Sequence, residues 1–510
     1  MQWLNKIADE LIARHPDGEI IVSSGVSPSG PYHLGTLREV LTAETIANEV
    51  RDRGRQARHL HICDDLDVFR KVPANIPESY KQYLGVPLCD IPSPNNPDKS
   101  YADYYTEEFM EAGKSLNLTA DIVRAHQKYR EGYFTDAIEI ALNNIDKLKS
   151  ILENISGHQV DNNWSPIQVV EDGYIKNRVF KSLNTDDKTL VYIDQNGQEK
   201  ETKYDSGLVK LNWRFDWPAR WWKMNVMAEP FGRDHATKGG SYDTGEVIVK
   251  EVFGAEAPLP MPYDFINRTG DTKKMSKSAG DTVTTTDLLE IMPPEVLWYF
   301  ILRFAPSKQL FFDEGQSLIK LIDEFGALLA STEKSESEEQ LIRHCMRGIK
   351  QPTISRVPFS LLSESYQAAL KDIDETINII ARTEYHDVAI KEAEVIKREL
   401  KFIDAWLNKH APEDVKFSLI DSPNPSDFSD KQKDFMNQLA DKIAQAPKDA
   451  DGEWYHLAIY DLKDSTGLSP KELFSTLYQA IIGKQSGPRA GWFLSMLPHD
   501  WLLKRLRLES

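Results

Sequence analysis

A strand, a helix and a second strand follow one another near the N-terminus, and this pattern constrains the fold more than any other feature. Residues 19–25 read E-I-I-V-S-S-G, and residues 57–67 read A-R-H-L-H-I-C-D-D-L-D; both are typical of buried strands. Between them, four apolar residues recur on one helical face: Leu37, Leu41, Ala47 and Val50. A strand–helix–strand unit predicts a parallel sheet. Ligands of such sheets bind beyond the carboxyl ends of the strands, where S-S-G-V-S-P-S-G and D-D-L-D lie.

The rest of the chain predicts an α/β fold with additions. With 510 residues it is too long for one core, so several domains are expected. Residues 189–204 read as a β-hairpin, and the pair Asn196-Gly197 favours a two-residue type I′ turn. We expect an α+β insertion here, with the main sheet resuming near 208–218. Beyond about residue 285 the pattern is mostly helical.

Composition excludes some classes of protein and leaves others open. No run of eighteen apolar residues or secretory signal is present, and three scattered cysteines fit a reducing cytoplasm. The net charge of −18 does not exclude nucleic acid, because phosphate contacts need only a local basic face. One basic cluster near the C-terminus contains Lys504, Arg505 and Arg507, with Lys484 and Arg489 nearby. This cluster is either a solvated face or part of an RNA site.

Two loops carry chemistry. Residues 27–36 read S-P-S-G-P-Y-H-L-G-T and place His33 at the start of a helix. This loop is neither a Walker loop nor a dinucleotide fingerprint, so His33 is either a donor to a phosphate or a simple helix cap. Residues 270–280 read G-D-T-K-K-M-S-K-S-A-G, where Lys274 and Lys277 suit a loop that closes over a polyphosphate. The alternative is an exposed basic turn.

Taken together, H-L-G-T and K-M-S-K-S resemble the two signatures of class I aminoacyl-tRNA synthetases. Other segments are similar to the class I lysyl-tRNA synthetases in particular: H-I-C-D-D-L-D-V-F-R-K-V-P, D-W-P-A-R-W, G-R-D-H, S-Y-D-T-G, A-P-E-D-V-K-F-S and F-S-T-L-Y-Q-A-I-I-G-K. This resemblance runs from residue 23 to the C-terminus. It implies a Rossmann-type catalytic domain that uses ATP with Mg²⁺ to make lysyl-adenylate, and then passes L-lysine to lysine tRNA.

The resemblance also implies roles for individual residues. The catalytic groups would be His33, Lys274 and Lys277. ATP would be bound by His33, Gly35, Thr36, Gly232, Asp234, Met275, Ser276 and Lys277. Lysine would be bound by Gly25, Ser27, Trp213, His235 and Asp65. Asp64 and Asp65 could take the α-amino group or the tRNA end; the alternative is an acidic strand end without a ligand.

The implied domain order is a series of five segments. Residues 1–85 and 206–265 form the halves of the Rossmann-type domain, separated by an acceptor-binding insertion at 86–205. A stem-contact region at 266–340 carries K-M-S-K-S, and a mainly helical anticodon-binding domain covers 341–510. We expect a monomer in the cytoplasm.

Two departures from the family pattern matter. Thr36 stands where the first signature often has Asn or His. Relatives carry Cys and His zinc ligands in the insertion, whereas the corresponding stretches here carry none, so we expect no structural zinc or other protein-bound metal. His59 and His61 alternate along a strand, which favours core histidines. Two alternative functions are an adenylate-forming paralogue with a non-tRNA acceptor and an idle tRNA-binding paralogue.

Overall fold

The structure is a computed structural model that describes residues 1–157, 159–161, 163–270, 283–447 and 450–509. Its strands are β1 (Ile20–Val26), β2 (Ala57–Cys63), β3 (Asp121–Arg124), β4 (Ile167–Glu171), β5 (Tyr174–Asn177), β6 (Val179–Asn184), β7 (Thr189–Ile193), β8 (Glu199–Lys203), β9 (Val209–Leu211), β10 (Ala228–Gly232), β11 (Leu259–Tyr263), β12 (Ile266–Arg268) and β13 (Leu310–Phe312).

Its α-helices are α1 (Gln2–Arg14), α2 (Leu34–Asp52), α3 (Tyr101–Ser115), α4 (Ala125–Arg130), α5 (Thr135–Asn143), α6 (Ile145–Ser156), α7 (Trp213–Lys223), α8 (Ser241–Glu251), α9 (Thr285–Ile291), α10 (Pro294–Leu302), α11 (Gln316–Ala330), α12 (Glu336–Cys345), α13 (Phe359–Ala368), α14 (Ile373–Ile380), α15 (His386–Lys391), α16 (Ala393–Lys409), α17 (Asp430–Ala444), α18 (Gly452–Tyr460), α19 (Lys463–Thr466), α20 (Pro470–Ile482), α21 (Ala490–Met496) and α22 (His499–Leu506). None of these helices is long and apolar enough to cross a bilayer.

The chain forms two compact units, a coarser grouping than the five predicted segments. The first unit contains Met1–Leu289, Leu297–Phe312 and Ser335–Gly348. The second contains Glu290–Val296, Asp313–Lys334 and Ile349–Ser510.

A five-stranded parallel sheet in the order β11-β10-β1-β2-β3 lies at the centre of the first unit. The predicted strand–helix–strand unit is confirmed, with β1 and β2 paired in parallel and α2 between them in sequence. The chain builds outward from β1 to β3 and then returns to place β10 on the other side of β1. This change of direction leaves a crevice at the carboxyl ends of β1 and β10, where parallel sheets bind their ligands.

The return to the main sheet differs from the sequence prediction. Residues 209–211 form β9, which pairs antiparallel with β4, and Trp213 already begins helix α7. The main sheet resumes only at β10. The predicted return to the main sheet at 208–218 was wrong for two reasons. V-K-L is apolar enough for a strand in either sheet, and W-R-F-D-W-P-A-R-W also satisfies a helical period. Strand β3 was missed because it has four residues, none of them fully buried.

The insertion contains two small antiparallel sheets, β5-β4-β9 and β6-β7-β8. The predicted hairpin is β7 and β8, but its turn is not type I′. Asn196 has no positive φ, Gly197 has φ +78°, and Gly197 N–H donates to Asp194 O. This is a three-residue loop closed by a left-handed glycine. The dihedral signs of a type I′ turn occur instead at Asp172-Gly173, with φ values of 51° and 83°, between β4 and β5.

The second unit is mostly helical, as predicted. Helices α17 and α20 each begin with a serine capping box, at Ser429 and Ser469. Their apolar faces share one core with α18, α21 and α22, and its centre is fully buried: Phe435, Leu439, Ile459, Leu473, Ile481 and Leu502.

Candidate active site

A cavity of about 340 Å³ opens at the carboxyl ends of β1 and β10. We name it the strand-end cavity; it lies where parallel sheets bind their ligands. Its lining combines carboxylates, aromatic rings and small β1 residues: Ser23, Gly25, Val26, Ser27, Glu39, Ile62, Asp64, Asp67, Arg70, Trp213, Trp217, Arg220, Trp221, Val226, Glu229, Pro230, Phe231 and His235.

Glu39, on the second turn of α2, presents its carboxylate to the strand-end cavity. Its Oε1 accepts from Gly25 N–H at 2.8 Å and its Oε2 accepts from Tyr263 OH at 2.7 Å. Burial raises the pKa of Glu39 to about 8 despite these two hydrogen bonds. A cationic group that entered the cavity would therefore meet a fixed carboxyl group that it could ionise.

Three more carboxylates line the same cavity: Asp64, Asp67 and Glu229. Glu229 on β10 is buried, accepts from Trp221 Nε1 at 2.6 Å, and has its pKa raised by burial to about 7. Burial alone would raise the pKa of Asp64, but Arg220 at 3.1 Å and Lys210 at 3.7 Å lower it. Within the described part of the chain, Ser23 Oγ is buried and has no hydrogen-bond partner, so it is available to a polar ligand. Asp64 Oδ1 is held instead by its ion pairs with Arg220 and Lys210.

One wall of the cavity is aromatic. Trp213 begins α7 after Asn212, whose side chain caps the helix. The ring of Trp213 stacks on Trp217 with centroids 5.0 Å apart and lies 5.4 Å from the ring of His235. Trp217 is buried, whereas Trp213 keeps 38% of its surface exposed. An aliphatic chain can lie along such rings, and a cation is attracted to their faces.

His33 caps the N-terminus of α2 with a defined ring orientation. Its Nδ1 accepts from Gly35 N–H at 3.0 Å, which assigns the proton of the neutral ring to Nε2. A Cβ at Gly35 would lie 2.8 Å from His33 Cε1, so this ring position requires glycine. The neutral imidazole therefore carries its N–H donor on Nε2, next to a helix N-terminus that favours anions.

The G-R-D-H turn follows β10 directly. A Cβ at Gly232 would lie 2.6 Å from Asp234 Oδ1, so the glycine lets this carboxylate fold over the backbone. Arg233 instead pairs with Asp264 at 2.7 Å. The turn thus presents the half-exposed Asp234 and His235 near the end of the sheet.

The structure brings together four of the five residues predicted to bind lysine. Gly25, Ser27, Trp213 and His235 line the strand-end cavity, but Asp65 does not. The Asp65 carboxylate is buried, accepts from Arg124 Nε and His126 N–H at 2.5 and 2.7 Å, and contacts His126 Nδ1 at 2.6 Å. These partners hold it within the protein, so we no longer expect it to bind lysine. Thr36 is nearly buried in the first turn of α2.

Lys274, Met275, Ser276 and Lys277 lie outside the described residues.

One group of potential metal ligands occurs among the residues that the structure describes. Glu49, Asp52 and His344 have ligand atoms within 4.8 Å of one another. Arg343 lies 2.8 Å from Glu49 and 3.1 Å from Asp52, and Arg53 lies 3.0 Å from Glu49. Guanidinium groups already neutralise these carboxylates, so the group suits an ion-pair network better than a cation site.

Glu39, Asp67, Trp217 and Glu229 are among the cavity residues that sequence reasoning missed. The signal for Trp217 was present, because it follows Trp213 by one helical turn and therefore shares its face. Glu39 and Glu229 carry no such signal, since each reads as an ordinary polar position until the fold encloses it.

The chain is similar to known proteins in sequence and in structure. A family model described as tRNA synthetases class I (K) matches residues 1–351. The chain is 35% identical to lysine–tRNA ligase 1 of Methanosarcina acetivorans, over 100% of this chain and 98% of that protein. It is 33% identical to lysine–tRNA ligase of Pyrococcus horikoshii over 100% of both. A crystal structure of a glutamate tRNA ligase from Elizabethkingia meningosepticum, in complex with its amino acid, matches with a TM-score of 0.46 at 14% identity, covering 96% of this chain and 98% of that one.

Proposed function

Because the chain belongs to the class I tRNA synthetases (K), we propose that it joins L-lysine to lysine tRNA at the expense of ATP. In the first step the lysine carboxylate attacks the α-phosphate of ATP and releases pyrophosphate. In the second step the lysyl group passes from the adenylate to the 3′ end of the tRNA. Both steps depend on positioning and on neutralising charge more than on a protein nucleophile.

The observation that carries this proposal is the composition of the strand-end cavity. Lysine has an aliphatic stem with a cation at its end, and it needs an apolar wall that leads to a carboxylate. Trp213 and Trp217 supply the wall, and Glu39, held by Gly25 and Tyr263, supplies a carboxylate that ionises when an ammonium group approaches. Asp64, an ionised carboxylate that lines the same cavity beside Arg220, is the proposed acceptor for the α-amino group.

We propose that ATP occupies the end of the sheet beside this cavity. The Nε2–H of His33 would donate to a phosphate oxygen as negative charge develops, assisted by the N-terminus of α2. The carboxylate of Asp234, held over Gly232, would accept from ribose hydroxyls. Lys274 and Lys277 remain candidates for holding the leaving pyrophosphate, with Met275 and Ser276 beside them, and Mg²⁺ would enter with the ATP.

For tRNA, we propose the helical second unit as the anticodon-binding part. It contains a cavity of about 570 Å³ lined by rings and a guanidinium group: His456, Phe474, Tyr478, Arg489 and Trp492. The rings of His456 and Phe474 lie 5.7 Å apart and nearly parallel. Unpaired RNA bases stack on aromatic and guanidinium planes of this kind.

The predicted basic cluster needs a correction here. Arg505 is buried, and its guanidinium donates to the carbonyl oxygens of Ile420 and Asp421 at 2.6 and 2.9 Å. It therefore stabilises the fold and cannot contact phosphate. Lys504, Arg507 and Arg489 are exposed and remain candidates.

Amino-acid-dependent exchange of pyrophosphate into ATP, run with each of the twenty amino acids, tests the first step. We expect exchange with lysine alone. Glu39→Gln should raise the KM for lysine by roughly 10- to 100-fold, the scale of a hydrogen bond to a charged group. Glu111→Gln is the matched control, since that exposed carboxylate pairs with Lys114 on the surface of α3.

Charging of lysine tRNA tests the second step and separates the alternatives. Exchange without charging would indicate an adenylate-forming paralogue with another acceptor. tRNA binding without exchange would indicate an idle paralogue. Exchange with a different amino acid would reject the assignment of lysine to the strand-end cavity.

A further inference from the structure

Five buried side chains form a continuous hydrogen-bonded chain behind the strand-end cavity. Glu44 Oε2 contacts His59 Nδ1 at 2.8 Å, and His59 Nε2 contacts Ser24 Oγ at 2.8 Å. Ser24 Oγ contacts His61 Nδ1 at 2.8 Å, and His61 Nε2 contacts Tyr32 OH at 3.2 Å. The first four side chains are fully buried and Tyr32 is 2% exposed. We name this series the Glu44–Tyr32 relay.

With neutral histidines, the relay has one internally consistent direction. The Glu44 carboxylate can only accept, so His59 carries its proton on Nδ1 and accepts from Ser24 through Nε2. Ser24 has then used its single proton, so its oxygen accepts from His61 Nδ1–H. This leaves His61 Nε2 as an acceptor for the hydroxyl of Tyr32, which also contacts Cys63. The ionised Glu44 thus fixes the tautomer of His61, three hydrogen bonds away.

Tyr32 connects this relay to both predicted phosphate-binding segments. It precedes His33, and its ring stacks on Phe109 with centroids 4.1 Å apart. Its carbonyl oxygen accepts from Thr285 N–H at 2.9 Å and from Thr285 Oγ1 at 3.2 Å. His33 itself forms an isolated antiparallel bridge with Thr284. Residues 284 and 285 follow closely after the lysine-bearing segment 270–280.

We propose that the Glu44–Tyr32 relay is a positioning device for adenylate formation. By holding the hydroxyl of Tyr32, it fixes the backbone at residues 32 and 33, and through that backbone residues 284 and 285, which follow the lysine-bearing segment in sequence. None of its members lines the strand-end cavity, so the relay acts on the reaction only through His33 and the 284–285 segment. The catalytic part of this inference rests on the proposed function; the anchoring part does not.

Tyr32→Phe is the sharpest test, because it keeps the ring on Phe109 and deletes only the hydroxyl. We expect kcat for pyrophosphate exchange to fall about tenfold, the scale of one buried hydrogen bond, with the KM for lysine unchanged. The matched control is Tyr80→Phe, whose buried ring lies elsewhere in the same unit and whose hydroxyl donates to Pro92 O at 2.9 Å. The control should keep the kcat of the parent protein.

A second variant tests transmission along the relay. Ser24→Ala removes the link between the two histidines without touching Tyr32, and should lower kcat by a similar factor. Because both changes break one series, the double variant should be no slower than the slower single variant. If the two reductions in kcat multiply in the double variant, Tyr32 and Ser24 act through independent structural contacts, and the proposal is overturned.

Hydrogen exchange of residues 283–291 provides a readout that needs no activity. Tyr32→Phe and Ser24→Ala should each speed exchange at the Thr285 amide, and Tyr80→Phe should not. Unchanged exchange in both relay variants would overturn the proposal, whatever the enzyme assays show. Faster exchange in a protein that activates no amino acid would keep the anchoring role and reject the proposed function instead.

Discussion

At Glu39, the proposed binding of lysine is coupled to the protonation of a buried carboxyl group. Burial raises its pKa to about 8, so the carboxyl group is largely protonated near neutral pH when no ligand is bound. Its two donors, Gly25 N–H and Tyr263 OH, are already in place to stabilise the ionised form. A buried ammonium group at this position favours that ionised form and lowers the pKa again.

Lysine binding should therefore release a proton from Glu39. Since the bound form needs the carboxylate, affinity for lysine should rise by up to about tenfold per unit between roughly pH 6 and 8, and level off above that range. Glu229, with a pKa of about 7, lines the same cavity and adds to the proton release at the lower end of this pH range. Calorimetric titration in buffers of different ionisation enthalpy measures the number of protons.

Glu39→Gln should lose most of that pH dependence. A proton release identical in Glu39→Gln and in the parent protein would contradict the assignment, and would point to Glu229 alone.

At this scale the sequence could predict residues in recognisable motifs, and no others. Gly25, Ser27, Trp213 and His235 were predicted together and line one cavity. Asp65 was chosen beside Asp64 because neighbouring carboxylates at a strand end are equivalent in sequence. Which of the two faces the cavity depends on how the chain turns after Cys63, and only the folded backbone decides that.

Among the elements, the β4–β5 and β7–β8 hairpins of the insertion show how side chains near a turn select its type. Both Asn-Gly and Asp-Gly favour a type I′ turn, yet only Asp172-Gly173 has both φ values positive. At residues 194–198 the Asp194 carboxylate instead accepts from the backbone N–H groups of Asn196 and Gln198, at 2.8 and 2.9 Å. That side chain selects a longer loop, a competition that the dipeptide alone does not reveal.

Substitutions in the β7–β8 turn should therefore differ in cost. Gly197→Ala should destabilise the hairpin by about 1 kcal/mol, since alanine resists a left-handed φ. Asn196→Ala, the matched control, should cost little, because residue 196 has no positive φ and its backbone N–H is retained. Hydrogen exchange of β7 and β8 measures both. Equal losses of hairpin stability in the two variants would contradict the three-residue loop and support a type I′ turn.

For the whole molecule, the question is what stabilises an insertion whose sequence contains a single cysteine, Cys89. Leu190, Tyr192 and Tyr204 of the insertion are buried in one core with residues of α5 and α6. Trp164 packs edge to face on Phe215 at 5.2 Å, and Tyr204 OH donates to Glu139 at 2.8 Å. Apolar burial of this kind can replace the folding energy that a structural zinc supplies.

We therefore expect purified protein to contain no stoichiometric zinc. Chelation should leave its melting temperature unchanged, and its activity too when magnesium is supplied. Elemental analysis and thermal unfolding with and without chelator check this. One zinc per chain, lost together with stability, would contradict it.

The architecture was easier to predict than its boundaries. The parallel sheet and the helical C-terminal part follow from periodicity that extends over many residues. The point of return to the sheet does not, because the short strands β3, β9 and β10 carry too few residues for a period to show. Pairing with distant strands decides where they belong.

The order β11-β10-β1-β2-β3 also has a consequence for biosynthesis. Strand β1 ends at Val26 and its neighbour β10 begins at Ala228, so one edge of β1 has no partner until that later segment has emerged from the ribosome. At typical elongation rates this takes on the order of 10–40 s. A nascent chain that presents an open apolar edge for so long is a natural client of ribosome-associated chaperones, and slowing translation between these strands should lower the yield of native enzyme.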